Sequence, residues 1–127
     1  MYDYFITDGL LYKSQYGFRT LHSTELAALE LTDKIFLRLD QHKIPLAIFL
    51  DLSKAFDTID HSILISKLKY YGFHDTSLNW FLSYLTNRLQ YVQYKDQCST
   101  LSEVTTGVPN GSILGPLLLM IYINDIL

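Results

Sequence analysis

The chain has 127 residues, of which 49% are hydrophobic, and its net charge at pH 7 is −3. This composition supplies one hydrophobic core of ordinary domain size and excludes a disordered chain. The charge excludes a free-standing nucleic-acid-binding module of the usual kind, because such modules neutralise phosphates with a basic patch, whereas the ten basic residues here are scattered.

Cysteine and histidine usage excludes two further classes of protein. Cys98 is the only cysteine, so the chain offers it no disulfide partner. The four histidines lie far apart and have no cysteines at zinc-site spacing. The N-terminus is acidic where a signal peptide would be basic, and the longest apolar run, residues 113–123, is shorter than the roughly 17–25 residues of a membrane span. We expect a soluble intracellular protein without a membrane segment.

The first part of the chain predicts a turn followed by a helix. In Gln15-Tyr-Gly-Phe-Arg19, Gly17 between aromatic residues favours a turn, and Arg19 by itself is a surface arginine. Thr24 offers a hydroxyl at the start of an amphipathic helix that extends to about His42. We expect its apolar stripe to lie in the core, and the stripe consists of Leu26, Leu29, Leu31, Ile35, Phe36 and Leu39.

A short apolar run, Ile44-Pro-Leu-Ala-Ile-Phe-Leu50, predicts a strand covered on both faces. It ends at Asp51. A carboxylate at the end of a buried strand is costly to ionise unless a hydrogen bond or a positive group, such as a divalent cation, meets it. The alternative is that Asp51 only caps the following turn. The local pattern leaves both interpretations open.

Two helices and a hairpin follow. Asp57 or Asp60 can cap a helix that Gly72 ends, and His61 beside them is interpreted as structural. A further helix is predicted from Ser77 to about Thr86. Alternation with a period of two then predicts an antiparallel hairpin made of residues 89–94 and 101–108, with its turn at residues 95–97. The expected fold class is α+β, with helices packed on a small antiparallel sheet.

After the hairpin, Gly107-Val-Pro-Asn-Gly-Ser112 forms a turn-rich loop before a helix that begins near Pro116. Such a loop presents backbone N–H groups suited to a phosphate or a sugar. It is not a Walker loop, because no Gly-Lys-Ser/Thr sequence follows it.

Taken together, these segments resemble the reverse transcriptases of non-LTR (LINE-type) retrotransposons. Phe49-x-Asp51-x-x-x-Ala55-Phe56-Asp57 is similar to their first catalytic motif, and the run from Gly107 to Pro116 is similar to their next conserved block. Three further pieces match in the same order, namely Gln15–Arg19 with Ser23 and Thr24, Trp80–Arg88 with Gln90 and Val92, and Tyr122–Asp125.

The resemblance implies an incomplete right-hand polymerase fold, with part of the fingers and the first half of the palm. Residues 1–127 would be a partial reverse transcriptase domain. About 15–48 would form the fingers and palm-helix region, and 49–127 the palm with the first acid motif and the Gly-Pro loop.

The resemblance also implies the role of individual residues. Asp51 would be the catalytic metal ligand, and the carbonyl of Leu52 could add a second ligand for Mg²⁺. Phe56 would be the steric gate that favours deoxynucleotides. Asn110, where the family usually has glutamine, and Gly111 would contact the incoming nucleotide, while Arg19 would lie near the template.

The implied reaction is RNA-directed DNA synthesis on an RNA template and a DNA primer, with dNTPs as substrates. Two magnesium ions about 3.5–4 Å apart support it in polymerases, and magnesium prefers hard oxygen ligands. The way such elements propagate would favour the nucleus, although no residue in this chain encodes that address.

Two family features are missing from the sequence. The aromatic-x-Asp-Asp hairpin expected a few tens of residues after Asp125 does not occur, nor does the upstream arginine block. We therefore expect the 127-residue chain by itself to be inactive, and expect its apolar helix from Leu117 to Ile123 to lack the strands it would pack on. The alternative function is a catalytically dead remnant that acts as a structural or interaction module. A phosphotransferase with Asp51 as nucleophile is disfavoured, because Ser53 stands where a second aspartate would be needed.

Overall fold

The structure is a computed structural model that describes residues 1–126. The chain forms two compact units, residues 1–53 and residues 54 onward. The described residues contain five α-helices and four short strands, which confirms the predicted α+β composition.

The first unit is built on two helices, α1 (Tyr2–Thr7) and α2 (Thr24–Asp40). The amphipathic pattern predicted α2 to within two residues. Its N-cap is Ser23 and not Thr24, because the Ser23 hydroxyl accepts a hydrogen bond from the Leu26 N–H at 3.3 Å. A side-chain oxygen at this position satisfies a backbone donor that the helix leaves unpaired.

The apolar stripe of α2 does not lie in a core. None of its side chains is buried, and Leu29 and Phe36 are 57% and 60% exposed. The expectation of a buried stripe was therefore wrong for the described residues. A helical period shows which side chains share a face, but burial requires a second surface, and the buried apolar residues of this unit are Phe5 and Leu11.

The predicted buried strand from Ile44 to Leu50 is also wrong. This segment forms no strand among the described residues, and Ile44 and Leu50 are 97% and 84% exposed. A strand is stabilised by ladder hydrogen bonds and by cover on its faces, and no described segment supplies either to these residues. The apolar run indicated a tendency to form a strand, but no described segment pairs with it.

The second unit begins with helices α3 (His61–Tyr70) and α4 (Asp75–Leu85). Of the two predicted caps, Asp57 and Asp60, it is Asp60 that caps α3, since one carboxylate oxygen accepts from the N–H groups of Ser62 at 2.8 Å and Ile63 at 3.0 Å. Gly72 has φ +90° just after α3, a conformation that glycine adopts without strain. The helix that follows begins two residues before the predicted Ser77.

Four short strands form the predicted hairpin. They are β1 (Arg88–Gln90), β2 (Gln93–Tyr94), β3 (Gln97–Cys98) and β4 (Ser102–Val104). The outer pair, β1 and β4, and the inner pair, β2 and β3, are both antiparallel. Lys95 at the tip has φ +52°, which places the turn where the alternation ended.

The core of the second unit is made by helices. The last helix, α5 (Leu114–Ile123), begins two residues before the predicted Pro116, a residue that the first turn of a helix tolerates. It packs against α3, which also packs against α4, and Leu64, Leu118 and Ile121 are fully buried. The strands are mostly exposed. One expectation was thus wrong, because the helices cover one another and not the sheet; the apolar α5 is covered by its packing against α3.

The Asp60 cap makes the stability of α3 depend on pH. The Ser62 side chain and then the backbone N–H of Ile63 hold the pKa of Asp60 below its ordinary value of 3.8. A lowered folded-state pKa contributes stability above the ordinary value, and this contribution is lost as the pH falls through the folded-state pKa. We expect Asp60→Ala to lower the urea midpoint at pH 7 and to flatten its fall below about pH 4. If the native protein and Asp60→Ala lost stability equally on acidification, this account would be wrong. The matched control is Asp96→Ala, in the exposed hairpin turn.

Candidate functional site

A tight turn at residues 54–57 starts the second unit and carries the Phe56-Asp57 half of the first motif. The N–H of Asp57 donates to the carbonyl of Lys54 at 2.8 Å, and Lys54 has φ +51°. The turn places Phe56 and Asp57 next to each other at the surface, with Phe56 partly buried and Asp57 exposed.

The start of the loop after β4, residues 106–108, is fastened to residues 56–61 by four hydrogen bonds. The N–H groups of Gly107 and Val108 donate to the carbonyls of Ile59 and Phe56, both at 2.8 Å. Nε2 of His61 lies 2.7 Å from the Gly107 carbonyl. The Thr106 hydroxyl donates to the Asp57 carbonyl at 3.0 Å. The His61 contact fits the structural role predicted for that residue.

Gly107 is the point of closest approach between the two segments. It is buried and has φ +84°, and a Cβ built on it would lie 2.8 Å from the carbonyl oxygens of Phe56 and Asp57 and from the Asp57 Cα. Any side chain would push the loop off the turn, because real Cβ atoms do not approach backbone so closely. The glycine therefore fixes the spacing between the two motifs.

Farther along the loop, the Asn110 side chain meets Asp57. The Asn110 amide nitrogen donates to one Asp57 carboxylate oxygen at 3.1 Å. Asp57 is therefore not the helix cap, which is Asp60. Nothing local in the sequence signals this pairing of two residues that lie far apart along the chain.

Three of the residues predicted to bind nucleotide line one pocket. Phe56, Asn110 and Gly111 surround a cavity of about 310 Å³, together with Pro109, Ser112 and the start of α5. Asn110 also borders a larger polar groove of about 570 Å³, whose lining includes Asp57, Arg88 and Gln90. The Gly-Pro loop and Phe56 of the first motif are thus neighbours in the structure.

The other predicted residues belong to the first unit. Asp51 and Leu52 follow the unpaired segment of residues 44–50 and are exposed. A carboxylate at the end of a buried strand would need a cation or a hydrogen bond to offset its burial. Asp51 is exposed and solvated by water, so it has no such need. Arg19 donates from Nη1 to the carbonyls of Tyr12 at 3.2 Å and Gln15 at 3.3 Å. In that turn Phe18, not Gly17, has a positive φ of 59°.

The chemistry of Asp51 and Leu52 is compatible with magnesium in kind, since a carboxylate and a carbonyl are hard oxygen donors. They do not form a complete site. Within residues 1–126 no three histidine, cysteine, aspartate or glutamate side chains are grouped closely enough to hold a metal ion. None of the helices among these residues is long and apolar enough to cross a bilayer.

Comparison with known proteins accounts for the order of the motifs. A family model described as "Reverse transcriptase (RNA-dependent DNA polymerase)" matches residues 4–127. Among curated relatives from Drosophila melanogaster, the probable RNA-directed DNA polymerase from transposon BS is 36% identical over 118 residues, which are 88% of this chain and 12% of that protein. The probable polymerase from transposon X-element is 33% identical over 123 residues, 92% of this chain and 13% of that protein.

The RNA-directed DNA polymerase from the mobile element jockey is 29% identical over 113 residues, 89% of this chain and 12% of that protein. The chain thus spans about an eighth of the length of these relatives, and no solved structure matches it. Because the family model covers nearly the whole sequence and the relatives match most of it, the chain belongs to the reverse transcriptase family and is part of a reverse transcriptase domain of the non-LTR retrotransposon type.

Proposed function

We propose that this chain supplies the nucleotide pocket and one metal ligand of an RNA-directed DNA polymerase. The observation that carries the proposal is the pocket of Phe56, Asn110 and Gly111, in which two motifs distant in the sequence are fastened edge to edge. Its substrates are dNTPs, an RNA template and a DNA primer, with Arg19 near the template. Its place of action is inside the cell, in the nucleus.

Phe56 acts as the steric gate of this pocket. A gate discriminates only if its ring cannot move aside, and the Phe56 backbone is held by the hydrogen bond from the Val108 N–H at 2.8 Å. The ring is partly buried, so neighbouring atoms limit its rotation. A rigid ring at the pocket wall excludes the 2′-hydroxyl of a ribonucleotide and leaves room for the deoxyribose.

Asn110 and Gly111 contact the incoming nucleotide from the loop side. The Asn110 amide has both donor and acceptor atoms for a base or sugar. Gly111 has φ +74° with open space around its Cα, so the backbone itself can approach a ligand. Asn110 is one methylene shorter than the glutamine usual in the family, and its link to Asp57 defines how far its amide extends.

Asp51 and the Leu52 carbonyl would hold Mg²⁺, together with carboxylates that the described residues do not supply. When bound, magnesium orients the triphosphate and neutralises the charge that develops during nucleotidyl transfer. The protein's own task is to position the reactants, because phosphoryl transfer requires little covalent work from side chains.

The test uses a chimeric polymerase in which this chain replaces the matched 113 residues of the jockey protein. We expect Phe56→Ala to lower the preference for dNTPs over ribonucleotides on the order of 10²-fold, because an opened pocket cannot reject an added hydroxyl strongly. The measurement is primer extension with each nucleotide class on an RNA template.

The matched control is Phe36→Ala, which truncates a ring that is 60% exposed on α2 and should leave the preference unchanged. Unchanged selectivity in Phe56→Ala, with activity retained, would show that Phe56 is a packing residue and not a gate. A chimera without templated synthesis, although correctly folded, would overturn the proposed function as a whole.

A further inference from the structure

Asp57 has no part in the function proposed above, yet its carboxylate is the side-chain partner that Asn110 has within the described residues. The Asn110 Nδ2 group donates to Asp57 Oδ1 at 3.1 Å; both residues are exposed and line the polar groove, and Asn110 also lines the nucleotide pocket. An exposed asparagine without such a partner would sample several rotamers. We propose that Asp57 is a positioning residue that orients the Asn110 amide for the incoming nucleotide; this rests on the proposed function.

The orientation follows from the chemistry of the pair. An ionised carboxylate has only acceptor atoms, so it selects the NH₂ end of the amide and not the carbonyl end. The Asn110 carbonyl oxygen is then left as the acceptor that a nucleotide donor, such as a base amino group or the sugar 3′-hydroxyl, can reach. Without Asp57 the amide could rotate by 180° about its last bond and present a donor in place of that acceptor.

The backbone around Asp57 is rigid enough for this task. The Asp57 N–H donates to Lys54, its carbonyl accepts from the Thr106 hydroxyl at 3.0 Å, and its Cα lies against Gly107. These contacts fix the backbone that carries the Asp57 carboxylate. The single hydrogen bond between Asn110 and Asp57 then sets the position of the Asn110 side chain. Asp57 is thereby distinct from Asp60, whose carboxylate is used by the α3 cap.

The first test is NMR of the 127-residue chain. We expect the Asn110 side-chain NH₂ protons to exchange with water more slowly than those of Asn79, which is exposed on α4. Asp57→Ala should abolish this protection. Asp57→Asn should keep much of it, because an asparagine carbonyl can still accept. Exchange at Asn110 as fast as at Asn79 in the native chain would overturn the proposal.

The second test is kinetic and uses the chimeric polymerase. Losing one oriented hydrogen bond should raise the KM for dNTPs about 5–10-fold in Asp57→Ala, with a smaller change in kcat. Asp57→Asn should restore KM to within about 2-fold. The control is Asp60→Ala, which removes a nearby carboxylate that caps α3 and does not bond Asn110; it should lower stability and leave KM unchanged.

Two kinetic outcomes would overturn the inference: an unchanged KM in Asp57→Ala, or an equal rise in Asp60→Ala, which would make Asp57 a merely structural residue. Failure of the proposed function would look different, because the native chimera would then make no DNA. In that case the exchange rates of the Asn110 side-chain amide would by themselves test whether Asp57 positions Asn110.

Discussion

Asp51→Ala in the chimeric polymerase should abolish measurable primer extension while leaving the fold intact. Asp51 is exposed at the end of an unpaired segment, so its removal opens no cavity and leaves no buried group unsatisfied. Loss of a metal ligand should lower activity more than loss of a residue that supports a ligand. The latter costs roughly 10–100-fold in metal affinity or activity. We therefore expect a fall in kcat beyond that range, measured by single-turnover extension with saturating dNTP.

The matched control for Asp51 is Asp33→Ala, which removes an exposed carboxylate from the middle of α2. Because alanine favours helices, this variant should be at least as stable as the native protein and fully active. Raising the Mg²⁺ concentration should recover part of any residual activity in Asp51→Ala but should not affect Asp33→Ala. Near-native synthesis by Asp51→Ala would mean that Asp51 is only a turn residue, the alternative that the local pattern left open.

Gly107→Ala should be among the most destabilising single substitutions in the second unit. The new Cβ would lie 2.8 Å from three backbone atoms of Phe56 and Asp57, and backbone cannot move aside as a flexible side chain can. Overpacking costs about 1–3 kcal/mol, and a non-glycine residue at positive φ adds about 1–2 kcal/mol. The expected loss of unfolding free energy is thus about 2–5 kcal/mol, measured by urea denaturation.

Gly111→Ala separates the two causes of this loss. Gly111 lies in the same loop with a similar φ of +74°, but the Cβ that alanine would add there meets no atom within 4 Å. Only the backbone strain remains at this position, partly offset by the smaller entropy of the unfolded alanine chain, so the expected cost is about 1 kcal/mol or less. Equal losses at the two glycines would show that the loop is not pressed against the turn.

The sequence was sufficient where structure is set by neighbours along the chain. The caps, periods and turns of α2, α3, α4 and the hairpin were predicted to within a few residues, because each depends on side chains three or four positions apart or on alternation. The shift from Thr24 to Ser23 at the start of α2 is of the size expected for helix ends.

Burial was predicted less well, since a pattern identifies an apolar face but not what covers it. The stripe of α2 and the run from Ile44 to Leu50 have the composition of core elements, yet they are exposed in the described residues. The apolar α5 was expected to lack the strands it would pack on; in the structure it packs against α3, and Leu118 and Ile121 are fully buried. These outcomes depend on which distant surfaces meet.

The candidate site divides in the same way. The sequence by itself indicated the family and its motif order, and the resemblance to that family's motifs pointed to Asp51, Phe56, Asn110 and Gly111. Only the tertiary structure decided that Gly107 presses the second motif onto the first and that Asp57 holds Asn110. Hydrogen bonds between segments some fifty residues apart have no local signature, since they exist only after the chain has folded.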